Sequence, residues 1–377
     1  IPARVVAMLA DENICKIVHS SEFDLPYLAL ADNMGLVVRN IWDSKVCEQI
    51  IVGKQVPRES RDEELKVAYS AQLKYTLPRY GLGKNLNKEI RKNFIGRVKG
   101  IKFTNAEIEY GIGDVKDLLQ LQKAQEYILT RDGLIELALL ENQTAEKIAA
   151  MRILGIGFDI NVWVHIAKVN SSNFEKRSAK LPSAVSNWNS PPQVKKYFQK
   201  RGVMINSYDD LDAVLKASND EVLRDFIHAR ELHKSVTSYG LNWLEERFMD
   251  GDNRIRCGVE QVINTGRMSM NNPNLQQLPS TGNHRSAFIP AKGHVFIIGD
   301  FSGQEIGIMT AASGEDIWID ALLRGDDIHS LTASMLYGNL WEDYSEKGCK
   351  FPKKCNCDGH KKLRNEAKVL NFMLAYG

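Results

Sequence analysis

At 377 residues, 44% of them hydrophobic and 25% charged, the chain is too long for one ordinary core and too apolar for a disordered or fibrous polypeptide, so two or three globular domains are expected. Its 49 basic and 47 acidic residues leave a formal net charge of only +2, which excludes a uniformly basic surface. No apolar run approaches the roughly eighteen residues of a membrane span, and "IPARVVAMLA" has neither the charged start nor the long apolar centre of a signal peptide; a cytoplasmic protein with no membrane partner is expected.

In chain order, "NICKIVHS" reads as a buried strand and "FDLPYLALADNMG" as a short helix ending near Gly35. From 131 to 168, helical periodicity is broken at Gly155 and Gly157. Polar connectors at 170–192 lead to two further helical stretches, 207–217 and 219–247. Near residue 253 the pattern turns extended: "RIRCGVEQVI", the turn-rich "NNPNLQQLPSTGNHR", then "HVFIIGDFSG". The apolar residues 295–298 of that last run predict a buried strand ending one glycine before Asp300. Helical pattern then resumes, interrupted by a Cys/Lys/Gly-rich loop at 345–360.

Charge is unevenly spread along this order. From 74 to 102, nine basic residues stand against the single acidic Glu89, and from 345 to 368 eight stand against three; either cluster fits a phosphate-binding surface or an ordinary solvated face. Six cysteines do not make a disulfide scaffold in a chain this long, and reduced thiols are expected.

Asp300 at a strand end would present its carboxylate at a sheet edge, although Asp is also a common turn residue. Upstream, "TGRMSMNNPNLQQLPS" offers Arg267, Asn274 and Gln276 as donors to base edges or sugars. Downstream, "GDDIHSLTA" offers His329. In "LRNEAKVLNFMLAYG", Arg364, Lys368, Phe372 and Tyr376 recur every four residues and so share one slowly drifting helix face. An Asp with two long cations and a His suits a metal-bound polyphosphate, and the two aromatics would offer flat surface to a base; the competing reading is an amphipathic helix whose aromatics face a core.

"TGRMSMNNPNLQQLP", "DFSGQEIGIMTAASGED", "DDIHSLTA" and "RNEAKVLNFMLAYG" resemble, in order, the motifs of family A DNA polymerases, the bacterial polymerase-one type. The last matches the family's motif B, Arg, three residues, Lys, three, Phe or Tyr, three, Tyr-Gly. The resemblance implies a DNA-directed DNA polymerase that adds deoxynucleoside triphosphates to the primer end of primer–template DNA, as an expected monomer. It further implies that Asp300 and the backbone carbonyl of Phe301 bind two magnesium ions and that Glu305 lies against the sugar. His329, Arg364 and Lys368 would hold the triphosphate, Phe372 would pack beside sugar and base, and Tyr376 would lie by the templating position. Arg267, Asn274 and Gln276 would touch the DNA near the growing end. Motif A departs from the commoner Asp-Tyr-Ser-Gln-Ile-Glu at Phe301, Gly303 and Gln304, with the Asp-to-Glu separation kept.

Farther upstream, "HSSEFDLPYLA" and "YGIGDVKDLL" resemble, through Asp24 and the pair Tyr110 and Asp114, the second and third motifs of the proofreading 3′–5′ exonuclease that precedes such polymerases. In that family the carboxylates bind metal and the Tyr orients water. The first motif, Asp-x-Glu on a preceding strand, is absent, and the adjacent Asp11 and Glu12 are poor substitutes. A helix N-cap is the plain reading of Asp24.

The expected fold is therefore α+β and α/β multidomain: a partial RNase H-like exonuclease domain over 1–125, a mainly helical thumb with palm segments over 126–252, a partial palm with motif A over 253–313, and partial fingers ending in motif B over 314–377. In the family a second carboxylate opposite Asp300 comes from a later His-Asp-Glu segment, so the expectation is a fragment that does not extend a primer by itself. A stand-alone exonuclease of the DEDD type and a non-catalytic nucleic-acid-binding module are the competing classes. In "CKFPKKCNCDGH", Cys349, Cys355, Cys357 and His360 are the right number and kind of ligands for a closed zinc site; a polar, reduced loop is the other reading.

Overall fold

A computed structural model of the protein describes residues 2–30, 38–53, 60–83, 88–98, 100–208, 210–245, 251–279, 283–345, 349–355 and 357–376. The chain forms two compact units, Ile1–Val295 and Phe296–Gly377.

In the larger unit a first helix, Ala3–Ala10, precedes the strand that the sequence predicts, and that strand is half-buried where a buried one is expected. Lys16–Val18 pairs in parallel with Ile41–Asp43, Val18 opposite Asp43. Asp43 ends its strand and caps the next helix, Ser44–Val52, because its carboxylate accepts the N–H groups of Lys45 and Val46 at 2.9 and 3.4 Å. Trp42 and Cys47 then pack with Leu129 and Ala138, drawn from the helices Leu118–Arg131 and Ile135–Leu154. The helix expected to end near Gly35 spans Ser21–Leu30, and residues 31–37 lie outside the described ones.

The two glycines that break the long helical pattern have a steric cause. The strand Ile156–Phe158 lies between Arg254–Ile255 and Phe288–Ile289, antiparallel to both. A Cβ on Gly155 would stand 2.8 Å from the Ile255 carbonyl oxygen, and one on Gly157 2.4 Å from that of Ile289, so only glycine allows these approaches. Beyond the strand, Asp159 caps the helix Ile160–Ser178, which packs along Glu221–Ser238. Phe158, Trp163, Tyr239, Trp243 and Ile255 close the core there, the two indole rings stacked at 4.7 Å. Each indole N–H is satisfied by a carbonyl, Trp163 by Gly240 at 2.9 Å and Trp243 by Ser238 at 2.7 Å.

The smaller unit is helical: Gln304–Ser313, Asp316–Leu323, Ile328–Tyr337, Asn339–Asp343 and Asp358–Tyr376. Ile306, Ala321 and Ile328 form one core cluster, Ala333, Trp341, Leu363 and Ala367 another. Among the described residues no helix is long and apolar enough to cross a membrane.

One expectation fails. Residues 295–298 have no regular secondary structure and pair with no strand among the described residues, and Val295, Ile297 and Ile298 are 80%, 94% and 91% exposed. An apolar sequence favours a strand, but a strand is held only by a neighbouring ladder. The described strands complete three small sheets without bordering this segment.

Candidate functional site

Leu363, Ala367 and Asn371, spaced by four, are the buried stripe of the helix Asp358–Tyr376. Ala367 meets Ala333 of Ile328–Tyr337, and two such small side chains let the helix backbones come close. This packing brings Arg364 to Asp327, the N-cap of Ile328–Tyr337. The Asp327 carboxylate accepts Arg364 Nε at 2.6 Å and Nη2 at 2.7 Å, and the Ser330 N–H at 2.9 Å. Burial works to raise this carboxyl, but the Arg364 and Ser330 hydrogen bonds outweigh it and hold it at about 2.

His329, the next helical residue but one, is buried against this pair. Asn371 Nδ2 lies 3.1 Å from His329 Nδ1 and 3.1 Å from Thr332 Oγ1, so the amide holds the imidazole ring against its own helix. Burial, then the Arg364 charge, lowers the His329 pKa against the opposing effect of Asp327; Lys368 lowers it further. The ring is therefore a neutral N–H donor at neutral pH, close to two cations. Lys368 is exposed, its ammonium 5.8 Å from the centre of the Phe372 ring, and the Phe372 and Tyr376 rings stack 6.1 Å apart within 9° of parallel. Phe372 also packs on the Ile306 cluster, as an amphipathic helix would place it, whereas Tyr376 is 66% exposed.

So His329, Arg364, Lys368, Phe372 and Tyr376 do come together. Asp327 and Asn371, which orient them, were not singled out in the sequence. An Asp three residues before Ser330 at a helix start was a legible signal for the first; nothing local marks the second. Asp300 and Phe301 lie on the exposed segment without regular secondary structure, and Asp300 is not among the charges acting on His329. Gln304 is the exposed first residue of its helix, and Glu305 beside it is half-buried. Among the described residues Asp300 belongs to no cluster of three or more ligating side chains, so these residues alone do not fit a pair of magnesium ions.

Arg267, Asn274 and Gln276 belong to the larger unit. Arg267 is exposed, whereas the Gln276 amide is engaged at both ends and Asn274 spends its oxygen on the turn's backbone. Asn274 Oδ1 accepts the Gln276 N–H at 3.0 Å, while Gln276 accepts from Met270 N at 3.0 Å and donates to Met268 O at 3.2 Å. A turn without a ladder satisfies its backbone through such side chains.

In the same unit, burial raises the Asp24 carboxyl to about 6, with further upward pressure from Asp43, Glu22 and Asp114. Asp43 was missed by sequence reading, although an apolar strand ending in Asp before a helix announces a cap. Its two oxygens accept the N–H groups of Ser20 at 3.0 Å and Ser21 at 2.6 Å besides those of its own helix. Tyr110 is buried, and these acids form no three-ligand cluster among the described residues. The cluster that does form among the described residues belongs to the smaller unit: Cys349, Cys355, Cys357 and His360, whose ligand atoms all lie within 4.8 Å of one another.

Residues 165–377 match the family model described as DNA polymerase family A. The DNA polymerase I of Lactococcus lactis subsp. lactis is 28% identical over 273 residues, which cover 68% of this chain and 28% of that protein. The DNA polymerase I of Chloroflexus aurantiacus is 34% identical over 31% of this chain and 13% of its own length. The chain thus spans less than a third of the curated relatives it matches. Among solved structures, the POL domain of Pol1 from M. smegmatis, in complex with DNA primer-template and dNTP, superposes with a TM-score of 0.72 over 100% of this chain and 60% of that one, at 20% identity, a likeness of fold.

Proposed function

Because the chain belongs to the family A DNA polymerases, we propose that it is part of a DNA-directed DNA polymerase and that its smaller unit grips the incoming deoxynucleoside triphosphate. The observation that carries this reading is the helix pairing that gathers His329, Arg364 and Lys368 beside the Phe372–Tyr376 stack. Lys368, exposed and mobile on a long stem, is the cation that reaches a phosphate. Arg364, locked by Asp327, keeps a positive field at the same place, and neutral His329 offers a ring N–H without adding charge. The ring stack receives sugar and base.

The M. smegmatis relative in its complex with primer-template and dNTP supports the same substrates here, with the turn carrying Arg267 as the DNA-facing element. Asp300 and the Phe301 carbonyl are the metal ligands this chain would contribute; a bound pair of magnesium ions would supply charge neutralisation at the phosphates. Replacing Lys368 by Ala is expected to weaken dATP binding about 10- to 100-fold, the worth of a charge-assisted hydrogen bond to phosphate. Titration of the purified chain with a fluorescent dATP analogue measures this. Unchanged affinity in Lys368→Ala would remove the reading.

The upstream acids support a second element of the reading, an exonuclease-like region whose metal site is not assembled. Asp24 and Asp114 are near enough to repel, but Asp43 is committed to backbone donors. A 3′-labelled single strand incubated with the chain and Mg2+ is expected to stay intact; degradation abolished by Asp24→Asn would overturn this element.

A further inference from the structure

We propose that Cys349, Cys355, Cys357 and His360 bind one structural zinc ion that fastens the loop before the helix Asp358–Tyr376 to that helix's first turn. The proposal does not depend on whether the chain synthesises DNA.

Three thiols and one imidazole converge here from a short stretch of chain. Cys355, Cys357 and His360 are buried, with Cys349 half-buried. His360 Nδ1 lies 3.4 Å from Cys349 Sγ and 3.2 Å from Cys355 Sγ. A tetrahedral zinc site has sulfur–nitrogen edges of ~3.5 Å and sulfur–sulfur edges of ~3.8 Å, given zinc–sulfur and zinc–nitrogen bonds of about 2.3 and 2.0 Å. The widest of the observed separations, 4.8 Å, therefore has to close by only about 1 Å, a side-chain adjustment.

The imidazole is already oriented as a ligand. Its Nε2 lies 2.6 Å from the carbonyl oxygen of Trp341, which can only accept, so the ring proton is on Nε2 and the Nδ1 lone pair faces the sulfurs. The Trp341 indole stacks on the ring at 3.9 Å, 7° from parallel, and fixes its plane. Gly359 allows the neighbouring turn to close, since a Cβ there would stand 2.3 Å from the Tyr344 ring. Buried cysteines that serve only as small apolar side chains have no need to converge on a nitrogen lone pair.

The charge is suitable as well. Binding releases the thiol protons and leaves a three-thiolate site with one net negative charge, amid Lys350, Lys353, Lys354, Lys361 and Lys362. Four protein ligands leave no open position, so the ion is structural. Its leverage follows from the loop's other bonds: Pro352 O accepts the Asp327 N–H at 2.9 Å, and Lys353 pairs with Asp326 at 3.0 Å. The loop that zinc closes thus braces the residue that holds Arg364.

The test uses the purified whole chain. Metal analysis after exhaustive dialysis is expected to find one zinc per chain, and Co2+ in its place is expected to give the intense visible bands of tetrahedral thiolate coordination. Cys349→Ser, at the half-buried position, is expected to lower the stoichiometry and shift these bands while circular dichroism stays unchanged; Cys355→Ser is expected to abolish them. Chain without zinc that gives only weak, octahedral Co2+ spectra would overturn the proposal. So would a disulfide among the three cysteines in chain purified anaerobically, or full zinc retention in Cys355→Ser.

Discussion

Two groups of carboxylates in this protein illustrate opposite electrostatic solutions. Asp327 lies between an arginine fork and a helix N-terminus, and its carboxyl is held at about 2. Asp24 is half-buried near three other acids and is pushed up to about 6. The first charge is satisfied by the first turn of its own helix and by an arginine that helix packing brings to it; the second is opposed by neighbours of like sign. The difference shows that a carboxylate contributes stability according to what its fold brings to it, not according to its motif.

Removing the favourable member should have the largest effect. Asp327→Ala takes away both a helix cap and the two-pronged partner of the Arg364 guanidinium, whose side chain is 15% exposed, and is expected to destabilise its unit by about 2–4 kcal/mol. Hydrogen exchange of the Ile328–Tyr337 amides measures it, and protection retained to within about 0.5 kcal/mol would contradict the account.

Acid sharpens the same contrast. A carboxyl whose folded pKa is lowered stabilises fully above its ordinary 3.8 and loses that contribution as pH falls towards about 2. The wild type should therefore exceed Asp327→Asn, which keeps a cap but no charge, by about 1–2 kcal/mol at neutral pH after solvent screening. That margin should vanish near pH 2; a margin independent of pH would show that the charge is not what matters.

Asp24 should respond in the other direction. Its raised pKa means a penalty present above about 6 that fades as pH falls towards 3.8. Asp24→Asn is thus expected to stabilise the larger unit by about 1 kcal/mol at pH 7.5, with screening allowed for, and to give no gain at pH 4. A loss of stability at pH 7.5 would mean that the neighbouring acids hold Asp24 by hydrogen bonds instead of repelling it. Thermal unfolding of both proteins at the two pH values distinguishes these outcomes.

Much was legible in the residues. The four-residue rhythm of Arg364, Lys368, Phe372 and Tyr376 located a shared helix face because helix geometry is local: every backbone bond closes within four residues. Gly155 and Gly157 likewise announced a break, and the Cys/His spacing announced a ligand set. Other features depended on partners far away in sequence. Asp327 reaches Arg364 across 37 residues, and Asn371 reaches His329 across 42; no local pattern contains either meeting. The amides of Asn274 and Gln276 looked available because sequence does not reveal which backbone donors a turn leaves unpaired.

Residues 295–298 mark the limit most clearly. Their composition favours a buried strand, yet they have no regular secondary structure and are mostly exposed. Whether such a segment is buried depends on ladder partners, which only tertiary structure provides, and among the described residues none is paired with it. The family and the helix face shared by Arg364, Lys368, Phe372 and Tyr376 were settled by residue identity and spacing. The ion pair that fixes Arg364, the tautomer of His360, and the convergence of three sulfurs on one nitrogen were settled by packing, because each is a distance between segments that the linear order leaves free.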